Sequence, residues 1–357
     1  MGTIPELRFG NIVRPYCIIQ GGMGAGVSGP RLTRAVWRNG GLGVLSSAGL
    51  KDFYTITKGR SYTTYEAVQE EIATAMTDGY GVGLNVMGIL AESYDETVTA
   101  ALDAKVSVIF FGAGVPKRGT IFKDTAFGLI TSSARGLKIM LRYCHQKPDV
   151  IILEGPNAAG GHLGARLEDI GQSELELEEL LPEVLEVATK NGNIPVIVAG
   201  GIYTNTDIWK FRGLGASGVQ LGTRFLATEE SSATAEFKRA VVECRQEDII
   251  TVGSSPCGFP FRILKCSPAY LELLAGTRRP KCRMGYVLGK DKEGHYTICK
   301  AHPNHPEHSK YFCICDALRA AIGLAPGEPA MYTVGTNAYR VDKILPVSEL
   351  MIELAHN

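Results

Sequence analysis

Val196-Ile197-Val198-Ala199-Gly200-Gly201-Ile202, followed by Gly218-Val219-Gln220-Leu221-Gly222-Thr223, decides the reading of this 357-residue chain. Each stretch is a short run of β-branched and aliphatic residues that ends in glycine. A helical span, Thr206-Asp207-Ile208-Trp209-Lys210-Phe211, lies between them. A strand that ends without a Cβ lets a phosphate approach the backbone N–H groups. Two such strands in succession, joined by a helix, match the phosphate site that follows the seventh and eighth strands of a (β/α)₈ barrel. The plainer alternative is two buried parallel strands whose glycines only make tight turns.

Working outward, apolar runs recur at 17–20, 42–46, 82–86, 106–111, 127–131, 150–153, 196–199 and 218–221. Continuous apolar runs, in place of strict alternation, mark strands buried on both faces, as parallel strands are. Helical patterns intervene at 30–39, 65–78, 95–104, 134–145 and 175–190. Eight strands alternating with helices over about 225 residues is the arithmetic of a TIM (β/α)₈ barrel. The alternative is an open doubly wound sheet, and residues 21–26 test it. They read Gly-Gly-Met-Gly-Ala-Gly, not G-x-G-x-x-G, and the second strand ends in Ser46-Ser47-Ala48 with no carboxylate to hold a ribose. A dinucleotide-binding fold needs both features, so the barrel stands.

Barrel regularity stops beyond Thr223. A helix is expected over 234–245. The stretch from about 253 to 329 is rich in Pro, Gly, Cys and His, and the tail from Ala338 with a helix from Val347 reads as a return to the barrel. The expected organisation is a barrel over 1–252, a Cys/His-rich cap over 253–329, and a C-terminal segment over 330–357. Within the cap, Cys257-Gly258-Phe259-Pro260-Phe261-Arg262 offers two rings and a cation. They wall a substrate pocket, or the rings pack beneath the cap as core.

Lys+Arg equals Asp+Glu at 37 each, and no basic stripe or polybasic run is present. That composition argues against nucleic acid and against a membrane surface as partner. The N-terminus lacks the apolar run of a signal peptide, and no apolar stretch reaches the roughly 18 residues of a membrane span, so a cytoplasmic protein is expected. A small-molecule substrate is the expected partner, and a homodimer is left open. Of nine cysteines, six lie in 257–315. Cys282, Cys299, Cys313 and Cys315 share that stretch with His295, His302, His305 and His308, which raises zinc or an iron–sulfur cluster. No C-x₂-C pair exists and the His-Pro-Asn-His-Pro-Glu-His run resembles a solvated turn, so no metal is expected.

The chemistry concentrates after the sixth strand, in Glu154-Gly155-Pro156-Asn157-Ala158-Ala159-Gly160-Gly161-His162-Leu163-Gly164. Barrel enzymes carry their reactive groups at the C-terminal strand ends. A histidine set among glycines there can bring an imidazole that titrates near neutrality against a planar ligand. His162 is the candidate catalytic residue; the modest alternative is a hydrogen bond to a loop carbonyl.

Gln20-Gly21-Gly22-Met23, Gly83-Leu84-Asn85, Phe111-Gly112-Ala113-Gly114, Ala159-Gly160-Gly161-His162, Ala199-Gly200-Gly201-Ile202 and Gln220-Leu221-Gly222-Thr223-Arg224-Phe225, in that order, together resemble the nitronate monooxygenase family. This 2-nitropropane dioxygenase-like group includes flavin-dependent enoyl-acyl-carrier-protein reductases. The resemblance implies a TIM barrel holding FMN. Met23 with Gly21 and Gly22 would line the flavin, Asn85 would hydrogen-bond its edge beside Gly112, and Glu154, Gly160 and Gly161 would approach it. Gly200, Gly201, Gln220, Gly222 and Thr223 would cradle the phosphate. His162 would be the base that takes the substrate's α-proton. The expected activity is oxidation of alkyl nitronates or similar small carbon acids with O₂. The alternative on the same fold is NAD(P)H-dependent reduction of an activated C=C bond, with NAD(P)H as co-substrate. A non-catalytic binder of a phosphate ligand is the option outside enzymes. Two departures stand out: Pro156-Asn157 lengthens the loop before His162 by one residue, and the Cys/His-rich cap has no counterpart in the best-known members.

Overall fold

The computed structural model describes residues 2–88, 90, 93–256, 258–278, 289–290, 296–297 and 299–356. A short antiparallel pair, β1 (Leu7–Phe9) and β2 (Ile12–Arg14), opens the chain. Eight parallel strands then close into a barrel: β3 (Ile18–Gln20), β4 (Leu42–Ser46), β5 (Gly83–Met87), β6 (Val108–Gly112), β7 (Ala126–Thr131), β8 (Val150–Glu154), β9 (Val196–Ala199) and β10 (Gly218–Leu221). Each strand pairs with its successor in sequence, and β10 pairs with β3. The fold is a TIM barrel, as the apolar runs predict, with strand ends shifted by at most two residues.

The helices α1 (Pro30–Arg38), α2 (Leu50–Lys58), α3 (Thr64–Ala75), α4 (Tyr94–Asp103), α5 (Ala134–Tyr143), α6 (Leu177–Lys190) and α7 (Asn205–Gly213) lie between barrel strands. Local chemistry fixes several starts. Thr63 and Glu66 form a reciprocal capping box at α3, Thr204 and Asp207 another at α7, and Pro30 stands in the first turn of α1, where its missing N–H costs nothing. After β10 come α8 (Thr223–Leu226), α9 (Ala235–Glu243), strands β11 (Ile249–Val252) and β12 (Phe261–Leu264), and helices α10 (Pro268–Leu274), α11 (Ile314–Ala320) and α12 (Val347–Ala355). Helix α12 packs against α1 and α7 with Val347, Leu350, Met351 and Leu354 buried, which seals the barrel wall where the last helix meets the first.

One end of the barrel is plugged. Phe9, on β1, sets its ring edge-to-face against Phe110 at 6.4 Å, and the Cys17 N–H donates to Pro5 O at 2.8 Å. Midway along the strands the side chains are fully buried: Val44, Leu84, Ile109, Phe110, Ile151, Val198 and Val219 show 1% exposure or less. Burial fails only at the C-terminal strand ends, where Asn85, Met87, Gly112, Ile130, Glu154 and Gln220 are all partly accessible.

The segment beyond α9 joins the barrel through β12. Strands β11 and β12 pair antiparallel over Ile249–Val252 and Phe261–Leu264. Val252, Phe261, Ile263, Phe312, Ile314, Ala317 and Met331 form a second small core. Among the described residues no helix is long and apolar enough to cross a membrane.

Candidate active site

The loop after β3 bends over the mouth. Gln20 holds it: its Oε1 accepts from Val44 N–H at 3.2 Å, and its Nε2 donates to Ser28 Oγ at 2.8 Å and to Gly21 O. Gly21 and Gly22 then lie against neighbouring strands too closely for a side chain. A Cβ on Gly21 would stand 3.1 Å from the Gln220 side chain, and one on Gly22 would stand 2.7 Å from Asn85 Cβ. Gly112 faces the other side of Asn85, where a Cβ would lie 4.0 Å from both amide atoms. Met23 Sδ lies 3.9 Å from the position of a Cβ on Gly222, and nothing else comes within 4 Å of that point. Glu154 and Gln220 stand at one level, both in register with Ala199.

The loops after β8 and β9 contribute the rest. Gly200 has φ +99° and packs on the Gly155 carbonyl and the Ala159 nitrogen, while Gly201, at φ +75°, faces Ala158. Gly160 lies against Val334 and Gly335. The sequence residues predicted to bind the cofactor are thus brought together around one mouth: Gly21, Gly22, Met23, Asn85, Gly112, Glu154, Gly160, Gly161, Gly200, Gly201, Gln220, Gly222 and Thr223.

His162 sits in the left-handed region at φ +58°, which a non-glycine residue adopts only when its surroundings hold it there. Its ring meets Phe261 edge-to-face at 4.9 Å and Phe259 at 6.5 Å. Gly161 is obligatory beside it, since a Cβ would lie 2.7 Å from the Phe261 ring. The two phenylalanines differ in burial. Phe261 is 2% exposed and also packs on Phe312, whereas Phe259 is only half-buried.

Four polar side chains at the mouth (Asn85, Glu154, His162 and Gln220) make no side-chain hydrogen bond or ion pair among the described residues, and each keeps some accessible surface. Partly accessible polar side chains without a partner in the protein are available to a ligand's polar atoms. Burial pushes the His162 imidazole down from 6.5 to about 4, leaving it neutral at pH 7. Burial also pushes the Glu154 carboxyl up from 4.5 to about 7.

Some neighbours of the site escape the sequence reading. The segment 334–337 stitches three loops together. Gly335 N–H donates to Thr223 Oγ1 at 2.9 Å, Thr336 N–H to Ala158 O at 3.1 Å, and the Asn337 amide to Gly201 O. Its Gly-Thr-Asn composition is the only sequence signal. Arg262 is the clearest correction. Read from sequence as a pocket cation, it is buried at 3% exposure, and its guanidinium donates to the Ala159 and Pro156 carbonyls.

The Cys/His-rich stretch is described only in part. Cys257, Cys282 and His295 lie outside the described residues. Among the described residues no group of three His, Cys, Asp or Glu could hold a metal. The histidine run folds as turns in which His302 Nδ1 and His305 Nδ1 accept from the N–H groups of Asn304 and Glu307, each at 3.1 Å.

The family model described as nitronate monooxygenase matches residues 8–357. The chain belongs to the nitronate monooxygenase family. A Staphylococcus haemolyticus protein named "probable nitronate monooxygenase" is 29% identical over 265 residues, 66% of this chain and 71% of that protein. A Rhodococcus jostii protein named as a 5-hydroxy-7a-methyl-1-oxo-octahydro-indene-4-carboxyl-CoA dehydrogenase is 30% identical over 248 residues. That match takes in 69% of this chain but only 62% of the Rhodococcus protein, less than two thirds of its length. Among solved structures, FabK from Thermotoga maritima aligns with a TM-score of 0.71 at 25% identity, covering 96% of this chain and 92% of its own. The nitroalkane oxidase of Streptomyces ansochromogenes shares the fold, with a TM-score of 0.68 at 24% identity, covering 96% of this chain and 95% of its own.

Proposed function

We propose that this family member is an FMN-dependent oxidoreductase that takes electrons from an alkyl nitronate, or first a proton and then electrons from the neutral nitroalkane or a similar small carbon acid, and passes the electrons to O₂. The observation that carries this reading is the set of partly accessible polar side chains, Asn85, Glu154, His162 and Gln220, around a mouth edged by glycines. Oxidation of nitronates also accords with the name borne by the Staphylococcus haemolyticus relative.

The residues present fit FMN. The open space at Gly222 is a cradle that a Cβ would fill, and the backbone near Gly201, Gly222 and Thr223 would take the phosphate. Gly21, Gly22 and Met23 would lie along the ring system, Asn85 beside Gly112 would meet its edge, and Glu154, Gly160, Gly161 and Gln220 would complete the contact. Bound FMN would supply the two-electron acceptor and the route to O₂. The chain supplies the rest. His162, neutral at pH 7 and walled by Phe259 and Phe261, would accept the α-proton of a neutral nitroalkane. The segment 253–329 would cover the mouth, with half-buried Phe259 as its apolar contact and the barrel's small strand-end residues beneath.

The test begins with an absorbance spectrum of the purified protein, where flavin bands are expected and a colourless protein would refute the reading. Anaerobic mixing then separates the two redox functions. Bleaching by ethyl nitronate with indifference to NADH and NADPH supports oxidation, whereas rapid bleaching by either nicotinamide supports reduction of an activated C=C bond.

A further inference from the structure

The imidazole of His162 makes no hydrogen bond among the described residues, yet its backbone is held at φ +58°. Besides the edge-to-face contact with Phe261, its place is set by the chain on either side. On one side, Leu163 N–H donates to Pro260 O at 2.9 Å. On the other, Arg262 collects the carbonyls that precede the histidine. Its Nη1 donates to Ala159 O, its Nη2 to Pro156 O at 3.3 Å, and its backbone N–H to Gly160 O at 3.0 Å. Its own carbonyl accepts from Val334 N–H at 3.3 Å, which fixes the strand it stands on.

A guanidinium is an expensive way to fill this position. Arg262 is 3% exposed, no carboxylate among the described residues pairs with it, and burial pushes it down to about 10, so it stays charged at neutral pH. A buried charge answered only by neutral dipoles is costly to keep. What the charge obtains is control of two carbonyls three residues apart in the loop. The outer edge of that loop is pinned as well. Asn157 Nδ2 donates to Gln172 O and Glu176 Oε1, both at 2.8 Å, and its Oδ1 accepts from Gly171 N–H at 2.7 Å. Pro156 and Asn157, the lengthened part of the loop, carry two of these anchors, and Ala159 and Gly160 carry the others.

We propose that Arg262 is the positioning residue of the site: its guanidinium fixes the 156–160 loop from β12, so that the segment beyond the barrel sets the reach of His162. The proposal rests on the reading of His162 as base, and the test keeps the two apart. Arg262→Met removes the donors at similar length; Arg262→Lys keeps the charge and can satisfy one carbonyl.

Both variants are made in the full-length, FMN-loaded protein and followed in two ways. The first is anaerobic flavin reduction by neutral nitroethane and by preformed ethyl nitronate, which needs no base. Arg262→Met should lose about 10²-fold with nitroethane, the cost of misplacing a reacting group by about 1 Å, and less than about threefold with the nitronate. Arg262→Lys should fall between wild type and Arg262→Met, and it reads both arms if the Met variant fails to fold. The second readout is the His162 ring titration by proton NMR, its signal identified by its loss in His162→Ala. Loosening the loop should move it from about 4 toward 6.5. Equal losses with both substrates, or a normal substrate ratio with an unmoved titration, overturns the proposal. If wild type reacts with neither substrate, the oxidase reading fails by itself, and the NMR titration still decides whether Arg262 holds the loop.

Discussion

Glu154→Gln isolates the electrostatic cost of building this mouth. In the flavin-free protein the carboxyl has no hydrogen-bond partner among the described residues, and burial raises it from 4.5 to about 7. A buried acid whose folded pKa lies above its unfolded value holds its proton longer when folded. The native state therefore binds more protons between those values, and stability falls as pH rises through that window. At about 1.4 kcal/mol per pKa unit, the difference amounts to about 3 kcal/mol, and nearer 2 allowing for the part of the carboxyl that stays accessible. Glutamine keeps the shape and cannot ionise. The variant should match wild type near pH 4.5, gain steadily, and stand about 2–3 kcal/mol more stable from pH 7.5 upward. His162 acts in the opposite sense, since its lowered pKa removes stability as pH falls from 6.5 toward 4. It does so in both proteins and cancels from the difference. Urea unfolding followed by circular dichroism at half-unit steps from pH 4.5 to 8 measures the gap. A gap that stays constant with pH, or a glutamine variant less stable at pH 8, refutes the assignment of Glu154 as an unpaired buried acid.

Gly222→Val should leave the flavin-free fold intact, because only Met23 Sδ approaches the added carbon, at 3.9 Å, while FMN content falls sharply; full occupancy on purification would show that the phosphate lies elsewhere. Phe261→Ala should cost about 3–5 kcal/mol in urea unfolding, as expected for a buried ring that also braces His162 and Phe312. Phe259→Ala should instead raise KM with a near-normal melting temperature, and a reversal of the two patterns would place the substrate wall on the wrong ring.

The barrel is legible in the sequence because parallel strands covered on both faces read as plain apolar runs, and all eight runs coincide with strands. The elements that do not announce themselves are short or uncapped. Strands β1 and β2 have three residues each, too few to show alternation, and α2 begins at Gly49 in the left-handed region with no side-chain cap. Helices α10 and α11 have seven residues each, within a Pro-, Gly- and Cys-rich stretch that hides their period. At the site, the glycine clusters are readable because close approach demands glycine wherever it occurs. The partners of those clusters are not. Arg262 reaches Ala159 across 103 positions, and Gly335 reaches Thr223 across 112, distances over which a single sequence carries no pairing signal. Arg262 beside two phenylalanines looks like a pocket cation from sequence; only its burial against the loop carbonyls reveals what it holds.

The central claim is that His162 takes a proton for a flavin seated in this mouth. The direct measurement is anaerobic flavin reduction in FMN-loaded His162→Ala, with neutral nitroethane and with preformed ethyl nitronate. A positioned base contributes about 10²–10⁴-fold, so the variant should lose that factor with the neutral nitroalkane and nearly none with the anion. Equal losses with both substrates would contradict the account.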